Sequence, residues 1–396
     1  VGGCGSAYGY AYAGIGELVA WIIGWLLILE YAVATATVSI GWSGYLSSIL
    51  DAFFGVRLPA EFVSAPSEGG VANVPAMLIV LTLAGLLSWG VKESARFNGV
   101  MVFVKLATIL AFIFIAGQHV NVDNWTPFIP ERVIDADGRG HYGLMGVTTA
   151  AALIFFAYIG FDAVSTAAEE TKNPQRNVPI GLIGSLLICT LFYMVVAAGA
   201  VGAIGGQPVL GANGIPIEAG SEALARQCAL PQYTEALVCS REPLAHVLHM
   251  LGYGGIGNAI GYAAFIALPS VVLILLFGQT RIFFVMARDG LLPEKLATVH
   301  PKWRTPHIVT AITGVAVAIG AAFFPVGQLA DIANAGTLYA FLMVAVAVWQ
   351  LRRVDPNRER PFRVPAIWLI APLTILGCLF LFFNLPAAAM LVLPIW

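Results

Sequence analysis

Charge is what this sequence has least of. Only 11% of its 396 residues are Asp, Glu, Lys or Arg and 59% are hydrophobic, whereas a soluble domain carries roughly 25% charged residues. A water-soluble fold has no way to hide that much apolar surface, so a soluble class is excluded. The sequence also has no G-x-x-x-x-G-K-[ST] loop, which excludes an ATPase module within these residues. Five cysteines and six histidines stand nowhere at the spacing of a zinc cluster. Paired catalytic carboxylates, a His cluster and a nucleophile elbow are missing as well. Neither an enzyme nor a bound cofactor or metal is expected.

What is present in quantity is long uncharged runs. Nine stretches of roughly 16 to 30 residues are each long enough, as helices, to cross most or all of a hydrocarbon core of about 30 Å. They are Leu18 to Tyr45, Ala76 to Val91, Val100 to Gly117, Gly143 to Ala168, Ile180 to Ile204, Ile256 to Met286, Ile308 to Phe324, Leu329 to Trp349 and Pro365 to Asn384. Ala387 to Trp396 reads as a tenth span cut short. The runs are continuously apolar and do not alternate, which predicts helices and not barrel strands. The expectation is an all-α integral membrane protein forming one transmembrane domain over residues 1–396, truncated at both ends because it opens on Val1 and stops inside an apolar run.

Threading the spans alternately sorts the basic residues. One side receives fourteen: Lys92, Arg96, Lys172, Arg176, Arg281, Arg288, Lys295, Lys302, Arg304, Arg352, Arg353, Arg358, Arg360 and Arg363. The other receives five: Arg57, Arg132, Arg139, Arg226 and Arg241. The positive-inside rule makes the first side cytoplasmic. The outer connections are the longer ones, above all residues 205–242, which holds the turn signals Gly205-Gly-Gln-Pro208 and Gly211-Ala-Asn-Gly214 and is expected to form a small lid. Cys228 and Cys239 share this outer loop, so a disulfide between them is a possibility an oxidising compartment would allow. Cys189 and Cys378 fall within spans, and Cys4 falls near the cytoplasmic face.

A few ionisable groups fall where charge is expensive, about 2.5–3.5 kcal/mol at the bilayer centre on insertion scales. Lys105, in the third span, lies some 13 Å along the helix from Arg96. It is open to two readings: a snorkelling amine, or a desolvated amine that gains and loses a proton. Glu30, in the first span, either pairs with a neighbouring span or takes part in gating. Glu17 and Asp331 sit near interfaces as ordinary solvated or capping acids. The fourth span carries Phe155-Phe-Ala-Tyr-Ile-Gly-Phe-Asp162, with a glycine and a carboxylate near mid-span. A helix broken there exposes backbone polar groups, tolerated at membrane depth only beside a cavity or inside protein. Asp162 then caps the second half-helix or contacts substrate or a proton, and Phe155, Phe156, Tyr158 and Phe161 are suited to gating. Pro269-Ser270 in the sixth span predicts a kink.

Several stretches together resemble the amino acid, polyamine and organocation transporter superfamily, and within it the cationic amino acid transporter group. They are Phe155 to Glu170, Asn173-Pro-Gln-Arg176 with Pro179, Lys92 with Ser94-Ala-Arg-Phe-Asn98, Gly278-Gln-Thr-Arg281 with Arg288-Asp-Gly-Leu-Leu-Pro293, and Pro361-Phe-Arg-Val-Pro365. The resemblance implies a LeuT-like fold of two inverted five-helix repeats. The nine spans then stand for the third to eleventh of twelve helices, and the first broken helix lies outside the sequence. It further implies that the backbone at Phe156, Ala157, Tyr158 and Ile159 meets a substrate amino group, with Phe156 as gate and Leu276 near the substrate side chain. Lys105 matches a lysine that replaces a sodium ion in proton-coupled members. Asp162 and Glu30 remain candidates for gating or coupling. Pro269 and the long outer loop depart from the family pattern.

The function these features imply is secondary, sodium-independent, proton-coupled amino acid transport by alternating access. The partners would be an amino acid, protons and the lipid bilayer of a bacterial inner membrane, with no nucleic acid. The alternatives are an amino acid exchanger or polyamine carrier of the same superfamily, or, from another class, a proton-translocating subunit of a respiratory complex. The last would carry several midplane lysines and acids, where this sequence has one clear lysine.

Overall fold

A computed structural model describes residues 6–90, 95–134, 140–161, 171–206, 209–211, 217, 222–228, 230–233, 236–240, 242–357 and 362–396. Asp162 and the rest of 162–170, together with Cys4, Lys92, Ser94, Arg139, Gln207, Pro208, the 212–216 turn, Arg241, Arg358, Arg360 and Pro361, lie outside the described residues.

Thirteen α-helices follow one another among the described residues: α1 Ser6–Gly14, α2 Glu17–Phe54, α3 Val74–Ser88, α4 Ala95–Gln118, α5 Gly143–Ile154, α6 Pro174–Ile204, α7 Glu222–Cys228, α8 Pro243–Met250, α9 Gly254–Arg288, α10 His307–Phe323, α11 Val326–Val354, α12 Ile367–Phe382 and α13 Ala387–Ile395. The described strands are a two-residue antiparallel pair, Val133–Ile134 against Gly140–His141, in an outer connection. Each expected span overlaps one of the apolar helices, the fourth, Gly143 to Ala168, being described only as far as Phe161. Five are long enough and apolar enough to cross a membrane alone: α2, the Gly99–Gln118 part of α4, α6, α9 and α11. The other four, Val74–Ser88, Gly143–Tyr158, His307–Phe323 and Ile367–Phe382, are shorter. The 15 residues of α3 reach only about 22 Å, so the expected run to Val91 ends early, in a turn at Trp89–Gly90. Three short helices, α1, α7 and α8, occupy stretches outside the expected spans.

The core is organised around α2, whose 38 residues would extend about 57 Å. It buries side chains over most of its length against α9, α11, α1, α10 and α3. Uniformly apolar helices in lipid gain little from burying hydrocarbon against each other, so close packing at small residues has to supply the association. A β-carbon added to Gly314 of α10 would stand 2.5 Å from the Cβ of Ala84 on α3, and one added to Gly14 of α1 would stand 3.1 Å from the Cβ of Ala347 on α11. On the outward surface, α6 leaves Ile180, Ile183, Leu187, Ile188, Leu191 and Met194 exposed, a surface suited to acyl chains.

Buried polar side chains fasten these helices. Asn73 caps α3 by accepting the Ala76 amide at 3.1 Å, and its own amide donates to Ser43 Oγ at 2.9 Å and to the Val63 carbonyl at 3.2 Å. Gln279 of α9 donates to the Ile28 carbonyl of α2 at 3.1 Å.

Pro269 stands inside α9, and having no N–H it leaves the carbonyl of Phe265, four residues earlier, without its helical donor. That carbonyl accepts the indole N–H of Trp42 on α2 at 3.0 Å, and the Trp42 and Phe265 rings stack with centroids 5.2 Å apart. The proline is thus matched by a donor from the neighbouring helix.

In the outer loop Cys228, ending α7, is joined to Cys239, with their Cα atoms 5.4 Å apart. Cys239 closes a turn of 3₁₀ helix at Leu237–Cys239.

Candidate functional site: a broken helix and a lysine–serine pair

The expected interruption is where α5 ends. After Ile154 the chain tightens into a 3₁₀ turn at Phe155–Tyr158, Ile159 is extended at φ −61° and ψ 134°, and Gly160 takes φ 99°. A β-carbon strongly disfavours that last conformation, so the glycine permits the turn. The Ile159 amide reaches only back to the Phe156 carbonyl, at 3.1 Å, and the Phe161 amide to the Tyr158 carbonyl, at 3.4 Å.

The polar backbone released by the break is engaged from other helices. Asn334 of α11 donates its amide to the Leu153 carbonyl at 3.0 Å, and the Tyr193 hydroxyl of α6 donates to the Ala157 carbonyl at 2.8 Å. The hydroxyls of Tyr158 and Thr190 lie 3.1 Å apart. Because Thr190 gives its proton to the Leu186 carbonyl at 2.8 Å, Tyr158 is the donor between them.

The two sides of the 3₁₀ turn meet different walls. Phe156 and Ile159 pack against the α2–α9 core that contains Leu276, which is fully buried. Phe155 faces the other way, edge-on to Phe341 of α11 at 6.1 Å, and Phe161 meets the same ring at 5.1 Å. Phe161 and Phe341 also line an apolar cavity of about 360 Å³, which Phe156, Ile159, Leu276 and Lys105 do not line. The structure therefore brings Phe156, Ile159 and Leu276 together and engages Ala157 and Tyr158 with α6.

Lys105 extends from α4 toward α9, where its amine donates to Ser270 Oγ at 3.0 Å. The Ser270 hydroxyl, itself buried, passes its proton to the Ala267 carbonyl at 2.8 Å. The half-buried amine thus ends on a hydroxyl next to the proline of α9. Leu276 lies six residues further along, about 9 Å. Glu30 is fully buried in α2 at its crossing with α11, where a β-carbon on Gly336 would stand 3.9 Å from the Cβ of Glu30. Lys105 and Glu30 thus face different helices. Glu17 is exposed in the first turn of α2, where it accepts the Tyr12 hydroxyl at 3.2 Å. Among the described residues no group of His, Cys, Asp or Glu is arranged to hold a metal ion.

Asn334 and Tyr193 were not singled out in the sequence. A lone amide inside the apolar run Leu329 to Trp349 was the available signal for Asn334. Tyr193 gave none, since an aromatic in a span is ordinary.

A multi-span helical chain with a helix broken inside its bundle, a half-buried lysine between two spans and no catalytic constellation among the described residues has the architecture of a membrane carrier. The comparison with known proteins narrows it: the amino acid permease family profile matches residues 3–394, and the chain belongs to that family. It is 40% identical over 396 residues to the branched-chain amino acid permease BcaP of Bacillus subtilis (strain 168), covering 99% of this chain and 77% of that protein. The methylthioribose transporter of the same organism is 39% identical over 394 residues, with the same coverage. Cationic amino acid transporter 4, vacuolar, of Arabidopsis thaliana is 32% identical over 354 residues, covering 89% of this chain and 53% of that protein. Membership of a permease family removes the respiratory-subunit alternative. The family and these relatives are transporters, not enzymes.

Proposed function

We propose that these residues supply one half of the substrate site, and the coupling lysine, of a secondary amino acid transporter. It is proton-coupled and sodium-independent and works by alternating access on a LeuT-like inverted-repeat fold in a bacterial inner membrane. The observation that carries the reading is the Lys105–Ser270 hydrogen bond at 3.0 Å, which sets an ionisable amine between two spans next to the broken helix's core. An amine that donates to a hydroxyl holds it more weakly once it loses its charge, and the α4–α9 contact loosens with it. Carbonyls at the break receive the substrate ammonium, while Phe156 closes over it.

The wall formed by Phe156, Ile159, Leu275 and Leu276 is apolar. It suits an amino acid with an apolar side chain, as the name of the Bacillus permease suggests, better than a cationic one or a polyamine, whose second charge would need a carboxylate. A second reading, methylthioribose, is favoured by a relative of almost equal similarity, and its methylthio group would fit the same wall.

The test is uptake of labelled leucine, arginine and methylthioribose into proteoliposomes, with and without an inward proton gradient, for the protein and for Lys105→Ala. Leucine uptake that needs the proton gradient and falls at least tenfold in the variant is expected. Dependence on sodium alone, or gradient-driven uptake undiminished in Lys105→Ala, refutes the coupling proposal. Preference for arginine or methylthioribose refutes the substrate assignment.

A further inference from the structure

On the arginine-rich face, away from the Lys105–Ser270 pair, the end of α9 carries a stripe of residues that the transport reading leaves unused. Phe277, Arg281, Phe284 and Arg288 follow one another at steps of four, three and four, so they share one helix face. The Arg281 guanidinium lies over the Phe277 ring, 4.2 Å from its centroid. This stripe forms one wall of a cavity of about 320 Å³ whose other walls are Leu87 of α3, Val299 and Arg304 of the connection, and Thr305, Pro306 and Thr310 at the start of α10.

The cavity has two chemical halves. Phe277, Phe284, Val285, Leu87, Val299 and Pro306 make it apolar. The three guanidinium groups of Arg281, Arg288 and Arg304 make its other half a place for an anion, while the hydroxyls of Thr280, Thr305 and Thr310 already donate to the Phe277, Ser88 and Pro306 carbonyls. The first turn of α10 adds its positive dipole end. Among the described residues no carboxylate lines the cavity. The nearest acid in sequence, Asp289, stands 3.8 Å from Arg288 and also accepts the Tyr8 hydroxyl at 2.9 Å. A small free anion would leave the apolar half unmatched, whereas an amphiphile at the membrane surface satisfies both.

We propose that this cavity binds the phosphodiester headgroup of an anionic phospholipid, with the arginines on the phosphate and the phenylalanines against the start of the acyl chains. Basic pockets between spans on the cytoplasmic side have the charge and the depth for such headgroups. The bound lipid bridges α9 to the start of α10. The proposal rests on the chain's membrane topology and not on the transport reading, so either can fail alone.

The experiment is native mass spectrometry of the detergent-purified protein titrated with phosphatidylglycerol, phosphatidylcholine or inorganic phosphate. The protein is expected to bind phosphatidylglycerol in preference to phosphatidylcholine. The double variant Arg288→Gln/Arg304→Gln should lose roughly 25-fold in phosphatidylglycerol affinity, about fivefold per charge, while phosphatidylcholine binding stays unchanged. The charge-preserving Arg288→Lys/Arg304→Lys pair should retain most of the affinity, as should Arg353→Gln on α11, and both report that folding is intact. Equal binding of the two lipids by the protein, or phosphatidylglycerol binding untouched in the glutamine double variant, overturns the proposal. Displacement of phosphatidylglycerol by millimolar inorganic phosphate also overturns it, and assigns the cavity to a free anion.

Discussion

Replacing Trp42 by Phe tests whether the Phe265 carbonyl is held by its indole. In the protein that carbonyl has lost its helical donor to Pro269 and accepts Trp42 Nε1 at 3.0 Å. With the indole 9% exposed, water cannot readily take over. Trp42→Phe keeps an aromatic ring against Phe265 but strips the donor, leaving a buried acceptor unsatisfied at about 1–3 kcal/mol. The smaller ring adds a packing loss of about 1–2 kcal/mol. Pro269→Ala restores an amide that can reach the Phe265 carbonyl from within α9, so in that background Trp42→Phe should cost the packing loss alone. The difference, a coupling energy of about 1–3 kcal/mol, is free of the packing term because that is common to both arms of the cycle. Reversible SDS-induced unfolding in mixed micelles, followed by helical circular dichroism, measures all four proteins. A coupling energy below about 0.3 kcal/mol, the ordinary limit of additivity, would show that the proline and the tryptophan are independent and refute the reasoning.

Asn334→Leu removes the donor to the Leu153 carbonyl and should lower stability by about 1–3 kcal/mol and reduce uptake; thermal denaturation and uptake that both match the parent would refute that role. Cys228→Ser with Cys239→Ser opens a link spanning 11 residues, a closure worth about 3 kcal/mol in the chain-entropy picture. Faster limited proteolysis of the outer loop is therefore expected, with transport-domain stability little changed. Burial pushes the Glu242 carboxyl above its usual range, against the hydrogen bond from Ser48 and the nearby His249, and Tyr45, Asp51 and His246 are the other titratable groups around it. The folded state therefore holds that proton more tightly than the unfolded one, so stability falls as pH rises from about 4.5 through the raised value. Glu242→Gln should flatten that fall in melting temperature, and an unaltered pH profile would count against it.

The spans were legible because apolar length is a direct reading of what a bilayer demands. The break was legible too, because Gly160 among bulky aromatics marks a turn that a continuous helix would not need. Less readable was what the structure does with freed backbone groups. Nothing at Pro269 points to Trp42, 227 positions away in the chain, since the bond depends on how α2 and α9 cross. Asn334 and Tyr193 illustrate the same limit: pattern shows a polar group in a span but not the carbonyl it will find. The end of α3 also escaped, because hydropathy continues past Ser88, where the backbone turns. Lys105 stood out as costly, and only its geometry supplied Ser270.

Asn334 has a mechanical meaning beyond its hydrogen bond. Its amide grips α5 at Leu153, just before the chain loses helical form, and α11 continues from Asn334 to Arg352 and Arg353 in its last turn. If the half-helix tilts, either this bond breaks or α11 is drawn along. In the second case a displacement of the half-helix is delivered about 27 Å down α11, to the pair of arginines where the chain leaves the bilayer. The bundle would then have a lever whose fulcrum is a single carboxamide.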